Sequence, residues 1–305
     1  MSEPISRRAS HAGSWYSSSK TQLNNQLENW LKAAGPNKHG PARAIISPHA
    51  GYQYCGACAA YAYKEICPTT TKRIFILGPS HHIHLTGCAL STASVYETPL
   101  YNLNIDRDVY EELYSTNAFE RMTINADQEE HSIEMQLSYI AKVMESVGPS
   151  GFKIVPILVG SLSTDKEEMY GQLLAKYLAD PANVFVISSD FCHWGSRFSY
   201  QHYEKSWGEI HESIEKLDNM GMSLIESLDP SAFTAYLKKY RNTICGRHPI
   251  SVLLNAVQHL RLTTSNGQPG ISGTLRFLYY AQSSQCLRMR DSSVSYASAT
   301  LNLSN

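Results

Sequence analysis

Short apolar runs alternate with amphipathic stretches along most of the chain. Five runs have the length and composition of buried strands: 42–47, 73–78, 152–159, 184–188 and 275–280. Apolar positions at helical spacing predict helices in six segments: 21–34, 130–147, 165–179, 203–228, 230–240 and 249–262. This alternation is typical of a largely parallel central sheet flanked by helices on both faces. The pattern therefore predicts an α/β fold.

We expect a single domain over residues 1–305, because no internal repeat and no linker interrupts the alternation. Near the C-terminus, residues 265–273 are predicted to form a surface loop. The serine-rich tail, 291–305, fits either an edge strand or a mobile segment.

Composition narrows the class of protein. The formal net charge of −1 argues against nucleic-acid binding, which needs a basic patch. No apolar run approaches the roughly 20 residues that a membrane-spanning helix requires, so we expect no membrane insertion. The first residues contain no apolar signal segment, and seven irregularly spaced cysteines indicate reduced thiols. We therefore expect a cytoplasmic protein, with the nucleus as a second compartment.

Reactive side chains follow three of the predicted strands. His49 follows the first run, His81 the second, and Asp190 and His193 the fourth. The carboxyl ends of parallel strands meet at one edge of a sheet, where open α/β sheets build ligand sites. We therefore expect these side chains to converge.

The converging residues offer two sets of metal ligands. His49 and His81 with the carboxylate of Asp190 match the ligand set of non-haem Fe(II). The same imidazoles with the thiolate of Cys245 suit softer metals such as zinc or copper, and iron is not excluded. The residue types are compatible with both sets of metal ligands.

Cys245 is the thiolate candidate because Pro249 indicates that a helix begins just beyond it. With Arg247 and His248 nearby at a helix N-terminus, the pKa of this thiol is expected to be lowered. An inert buried cysteine is the alternative interpretation.

A second thiol pattern, Cys55-x-x-Cys58, fits a redox pair, but we favour small buried residues at the start of a helix.

His131 and Glu134 lie three residues apart, on one face of a predicted helix. That spacing is typical of carboxylate–histidine pairs in metal-binding bundles. Glu129 and Glu130 also suit the start of a helix, where acidic side chains complement the macrodipole. We expect His131 to line the pocket or support a ligand, and not to bind the metal itself.

Several motifs then identify a family resemblance. They occur in the order SHAGSWY, PHAGYQYCG, LGPSHH, EEHSIEMQL, SSDFCHWG, NTICGRHPIS and SSVSYAS. The chain resembles the Memo family from about residue 9 to about residue 300. More distantly, it is similar to the class III extradiol dioxygenases, α/β proteins whose non-haem iron is held by two histidines and a glutamate.

The resemblance implies roles for individual residues. His49 and His81 match the histidine ligands of the dioxygenases, and His193 matches their acid/base histidine. Cys245 falls at the position of the glutamate ligand, and Asp190 would restore a carboxylate. The implied cofactor is an iron or copper ion, with zinc as a third candidate.

The family also implies partners: phosphotyrosine peptides of receptor tyrosine kinases, and regulators of the cytoskeleton and of cell motility. Three hypotheses follow. The first, which we favour, is a redox-metal-binding signalling protein. The second is an active extradiol-type dioxygenase, although Cys245 at the glutamate position argues against ring cleavage. The third is a metal-independent phosphotyrosine adaptor, in which Arg197 or Arg247 pairs with the phosphate.

Overall fold

A nine-stranded mixed sheet forms the centre of the computed structural model, which describes residues 5–263 and 271–304. A small three-stranded sheet lies beside it. The strands are β1 (Ser6–Arg7), β2 (Ala44–Ser47), β3 (Arg73–Pro79), β4 (Cys88–Ser91), β5 (Val95–Tyr96), β6 (Leu103–Asn104), β7 (Phe119–Met122), β8 (Lys153–Val159), β9 (Asn183–Ser188), β10 (His193–Trp194), β11 (Ser272–Gln282) and β12 (Ser293–Ser304).

The middle of the large sheet is parallel, in the order β2–β9–β3–β8. These are four of the five strands predicted from apolar runs, and they are almost entirely buried, as strands covered on both faces must be. Antiparallel strands extend the sheet on both sides, β12 next to β2 and β4 next to β8. The predicted α/β fold is confirmed.

Helices cover both faces of the sheet. They are α1 (Lys20–Ala33), α2 (Tyr52–Tyr63), α3 (Arg107–Ser115), α4 (Ile124–Glu129), α5 (His131–Val143), α6 (Thr164–Ala179), α7 (Ile210–Glu226), α8 (Pro230–Tyr240) and α9 (Arg247–Leu262). On one face α1, α2 and α5 pack together, and on the other α6 packs along α9. No helix in the described residues is both long and apolar enough to cross a membrane.

The pattern missed α2 because this helix is buried on nearly every side and so has no polar face to reveal its period. Cys55 and Cys58 both lie in it as buried free thiols, which agrees with the interpretation as small buried residues. The serine-rich tail is an interior strand: β12 pairs with β11 on one side and with β2 and β10 on the other. Most of the loop predicted at 265–273 lies outside the described residues.

Candidate metal centre

The chain segments beyond β2, β3 and β9 converge on one cavity of about 480 Å³. His49, His81, Asp190 and His193 all line it. The parallel arrangement of the three strands places these residues at the same sheet edge, as the sequence predicted. His131, the first residue of α5, lies in the same cavity.

Three imidazoles form the core of the site. The potential ligand nitrogens of His49, His81 and His131 all lie within 4.8 Å of one another. The rings of His81 and His131 are stacked, with centroids 4.4 Å apart, and the ring of His49 stands edge-on to His81 at 5.2 Å. The sequence predicts a supporting role for His131, whereas the fold brings it as close as the two predicted ligands.

A hydrogen-bond network determines which ring nitrogen of His49 carries a proton and which keeps its lone pair. The hydroxyl of Ser188 donates its proton to the carbonyl oxygen of Ser132 at 2.7 Å and accepts a bond from the side-chain amide of Gln136 at 2.9 Å. The contact of 2.7 Å between Ser188 Oγ and Nδ1 of His49 must therefore use a proton on Nδ1. Nε2 of His49 is left with its lone pair.

The carboxylate of Glu130 contacts Nδ1 of His81, just as the hydroxyl of Ser188 contacts Nδ1 of His49. Its Oε1 lies 2.9 Å from Nδ1 of His81, and its Oε2 accepts the backbone N–H of His81 at 2.7 Å. Glu130 also accepts the backbone N–H of Ser132 at 2.9 Å and so caps α5. A carboxylate on one ring nitrogen is the usual partner of a metal-binding histidine, because it orients the ring and raises its basicity.

Electrostatics disfavour the charged forms of His49 and His131. Burial, together with the neighbouring His81, holds the pKa of His49 well below its usual range. Burial and the other two histidines lower the pKa of His131 to about 3. For Glu130, burial alone would raise the pKa, but the bond to His81 outweighs it and lowers the pKa overall. Neutral forms of His49 and His131 and an anionic Glu130 are the protonation states that metal binding needs.

Cys245 lies directly beside this group. Its sulfur is 3.1 Å from Nε2 of His49 and accepts the backbone N–H of Asp190 at 3.2 Å. Burial, followed by the charge of Asp190, raises the pKa of the thiol. The predicted lowering of this pKa is therefore wrong for the protein without metal. The thiol is positioned to donate its proton to the free lone pair of His49.

The two basic sequence neighbours of Cys245, Arg247 and His248, do not lower the pKa of the thiol because their side chains lie elsewhere in the structure. Nδ1 of His248 is 2.6 Å from a carboxylate oxygen of Glu167. Arg247 lines another cavity, between α6, α8 and α9, and not the one that contains the histidines. Of the two arginines suggested as phosphate partners, the site contains Arg197, which is exposed and stacks over Phe198 at 4.6 Å.

Asp190 and His193 take up positions at the side of the three imidazoles. Asp190 is buried and accepts the backbone N–H of His49 at 2.8 Å, and burial raises the pKa of its carboxyl. Nδ1 of His193 faces the carbonyl oxygens of Phe191 and Thr243 at 2.9 and 3.1 Å, so it carries the proton. Nε2 of His193 is then the nitrogen able to accept a proton.

Comparison with known proteins adds the family. The sequence profile described as Memo-like protein matches residues 7–300. The chain belongs to the Memo family. Protein MEMO1 of Danio rerio is 61% identical over 297 residues, and that of Homo sapiens is 59% identical; both alignments cover 97% of each chain. Protein memo-1 homolog of Caenorhabditis elegans is 51% identical, over 97% of this chain and 82% of its own length.

A solved structure of an uncharacterised Escherichia coli K12 protein aligns with a TM-score of 0.48 at 10% identity, covering 84% of this chain and 98% of that chain.

In this member of the Memo family, the N-terminal segment completes the site, a role that the sequence pattern did not indicate. Trp15 packs against His131 with ring centroids 4.5 Å apart and lines the cavity. Glu134, three residues after His131, contacts the N-terminal segment. Its carboxylate contacts Nδ1 of His11 at 2.9 Å and the guanidinium of Arg7 at 2.7 Å. The only sequence signal for this contact was the motif SHAGSWY itself.

Proposed function

We propose that this Memo-family protein binds an iron or copper ion at its three-imidazole site. We further propose that it acts as a redox-metal protein in receptor tyrosine kinase signalling, with effects on cell motility and the cytoskeleton. Zinc is the third candidate metal, and the cytoplasm, with the nucleus as a second compartment, is the proposed location. The convergence of His49, His81 and His131 within 4.8 Å carries the metal proposal.

The donor set fits a transition metal. His49 and His81 each have Nδ1 held by an oxygen atom, which leaves Nε2 as the free donor, and imidazole suits iron, copper and zinc alike. Cys245 would contribute a thiolate once its proton leaves, and Asp190 lies beside it as a buried carboxylate. When bound, iron or copper would supply one-electron and oxygen chemistry that these side chains lack.

The proposal is tested by anaerobic titration of the metal-free protein with Fe(II), Cu(I) and Zn(II). We expect His81→Ala to weaken binding by at least about tenfold, while His84→Ala, on the same loop and exposed, leaves it unchanged. His131→Ala and Cys245→Ala then show whether the third ligand is the imidazole, the thiolate or both. Absence of binding, or equal binding by His81→Ala and the wild type, would refute the metal site.

Two observations favour further functions of the same cavity. Arg197 is exposed there and has no carboxylate within 4.0 Å in the described part of the chain, which suits a phosphotyrosine peptide. Phosphopeptide binding that survives metal removal would favour the adaptor hypothesis.

His193 keeps Nε2 free to accept a proton, which suits extradiol-type oxygenase chemistry. No oxygen uptake by the iron-loaded protein with a panel of catechols would count against that activity.

A further inference from the structure

The ring of His131 differs from the other two imidazoles of the site in how its orientation is set. Nδ1 of His49 and Nδ1 of His81 each have an oxygen partner, at 2.7 and 2.9 Å. Nδ1 of His131 lies 3.7 Å from Oε1 of Glu130, too far for a hydrogen bond, and no other group of the described residues is hydrogen-bonded to this ring. Packing against neighbouring side chains therefore determines where the nitrogens of His131 point.

Two rings pack against His131. The ring of His81 is stacked on it with centroids 4.4 Å apart, and the indole of Trp15 packs at 4.5 Å with the ring planes 35° apart. Two rings this close on the same face of an imidazole would touch each other, but Trp15 and His81, both in the described part of the chain, make no aromatic contact. They therefore hold opposite sides of His131, whose side chain is only 14% exposed.

We propose that Trp15 is a positioning residue of the metal centre: its indole keeps the ring of His131 stacked on His81, where it is available as the third imidazole ligand. The inference rests on the proposed metal-binding function. Trp15 offers no metal ligand of its own, because the indole nitrogen carries a proton and is a donor only. It acts through the ring of His131.

The backbone of Trp15 is itself held by two helices. Its carbonyl oxygen accepts the N–H of Tyr52, the first residue of α2, at 3.0 Å. Its N–H donates to the carbonyl oxygen of His11 at 3.0 Å, and the N–H of His11 donates to the carboxylate of Glu134 at 2.8 Å. Glu134 lies on α5, three residues after His131. These bonds fix the position of the indole relative to the imidazole.

Glu130 and Trp15 act on different parts of His131. Glu130 caps α5 by accepting the N–H of Ser132, and so it fixes the backbone from which His131 projects. The side chain can still adopt several staggered rotamers, and packing selects among them. Stacking between two aromatic rings is strong enough to shift such an equilibrium by about three- to tenfold.

The metal-free protein provides the first test. Nuclear Overhauser effects between the ring protons of His131 and His81 report whether the two rings are stacked. We expect these effects in the wild type and in Trp15→Phe, whose ring still covers His131, and we expect them to weaken or disappear in Trp15→Leu. The melting temperature verifies that each variant is folded. Equal effects in Trp15→Leu and the wild type would overturn the proposal.

Anaerobic titration with Zn(II), which has no redox chemistry, measures the consequence for metal binding. Trp15→Leu should weaken Zn(II) binding by about three- to tenfold, and Trp15→Phe should restore most of the affinity. Trp207→Leu is the matched control. Trp207 is another partly exposed indole, but it packs against His202 and Tyr240 outside the cavity, so its loss should leave the affinity unchanged.

The His131→Ala background separates positioning from a general effect on the fold. Since Trp15 is proposed to act through His131, Trp15→Leu should weaken Zn(II) binding by the wild type and change nothing in His131→Ala. An equal loss in both backgrounds would overturn the proposal, because Trp15 would then act without the imidazole. Absence of metal binding by the wild type would instead count against the proposed function, and the ring contacts of the metal-free protein would still decide whether Trp15 positions His131.

Discussion

Glu130 holds two parts of the metal centre together through a single carboxylate. It bonds to both the backbone and the ring of His81, and it caps the helix that begins with His131. Glu130 itself is only 2% exposed, whereas 28% of the His81 side chain is exposed. At the residue scale, the orientation of two of the three imidazoles therefore depends on one side chain that is not itself in the three-imidazole group.

Glu130→Gln tests this dependence. Glutamine preserves the size of the side chain but removes the charge that orients His81, so we expect metal affinity to fall by about 10- to 100-fold. Glu129→Gln, at the exposed neighbouring position, should leave the affinity unchanged. Both are measured by anaerobic titration with Fe(II) and Cu(I). Unchanged affinity in Glu130→Gln would mean that packing alone orients the ring.

At the element scale, the beginning of α9 is pressed against the end of β9. A Cβ at Gly246 would lie 2.4 Å from the carbonyl oxygen of Ser188 and 2.4 Å from Cβ of Ser189. This close approach allows Cys245 to reach His49 and Asp190. The contact between the two elements therefore positions the thiol.

Gly246→Ala is expected to destabilise the fold by about 2 kcal/mol, because the backbone at this contact must move apart. Gly51→Ala serves as the control, since its new Cβ would meet nothing closer than 3.5 Å and its φ of −54° suits any residue. Urea unfolding of the metal-free proteins measures both changes. Equal stability of the two variants would show that α9 adjusts without cost.

At the scale of the whole molecule, a buried ionic network joins the N-terminal segment to the helices of the site. Arg7 is fully buried and bonds to Asp127 at 3.0 Å and to Glu134 at 2.7 Å. Burial alone would raise the pKa of Glu134, but bonds from His11 and Tyr16 and the charge of Arg7 outweigh it and lower the pKa to about 2. These contacts link residues more than 100 positions apart.

The lowered pKa gives the stability of the protein a defined pH dependence. Since the usual pKa is 4.5, Glu134 contributes about 3 kcal/mol above that pH, and the contribution is lost as the pH falls towards 2. The difference in unfolding free energy between wild type and Glu134→Gln should therefore shrink between pH 5 and pH 3. Urea unfolding at several pH values measures it, with the exposed Glu145→Gln as control. A difference that stays constant with pH would contradict this account.

Local sequence determined the parallel centre of the sheet and the edge where the site forms. The strands β2, β3, β8 and β9 are continuous apolar runs because they are buried on both faces, and such runs are visible without any knowledge of the fold. Since parallel strands end at one edge, the positions of His49, His81 and Asp190 near one another also followed from the order of the strands.

Tertiary structure alone decided how these residues behave chemically. His131 joins the group because α5 begins beside β3, and the pKa of Cys245 rises because the thiol is buried next to Asp190, while Arg247 and His248 lie elsewhere. Burial, proton positions and the distances between residues remote in sequence arise only from packing. The sequence by itself therefore determined where the site forms, and the tertiary structure decided which side chains meet there and in what protonation state.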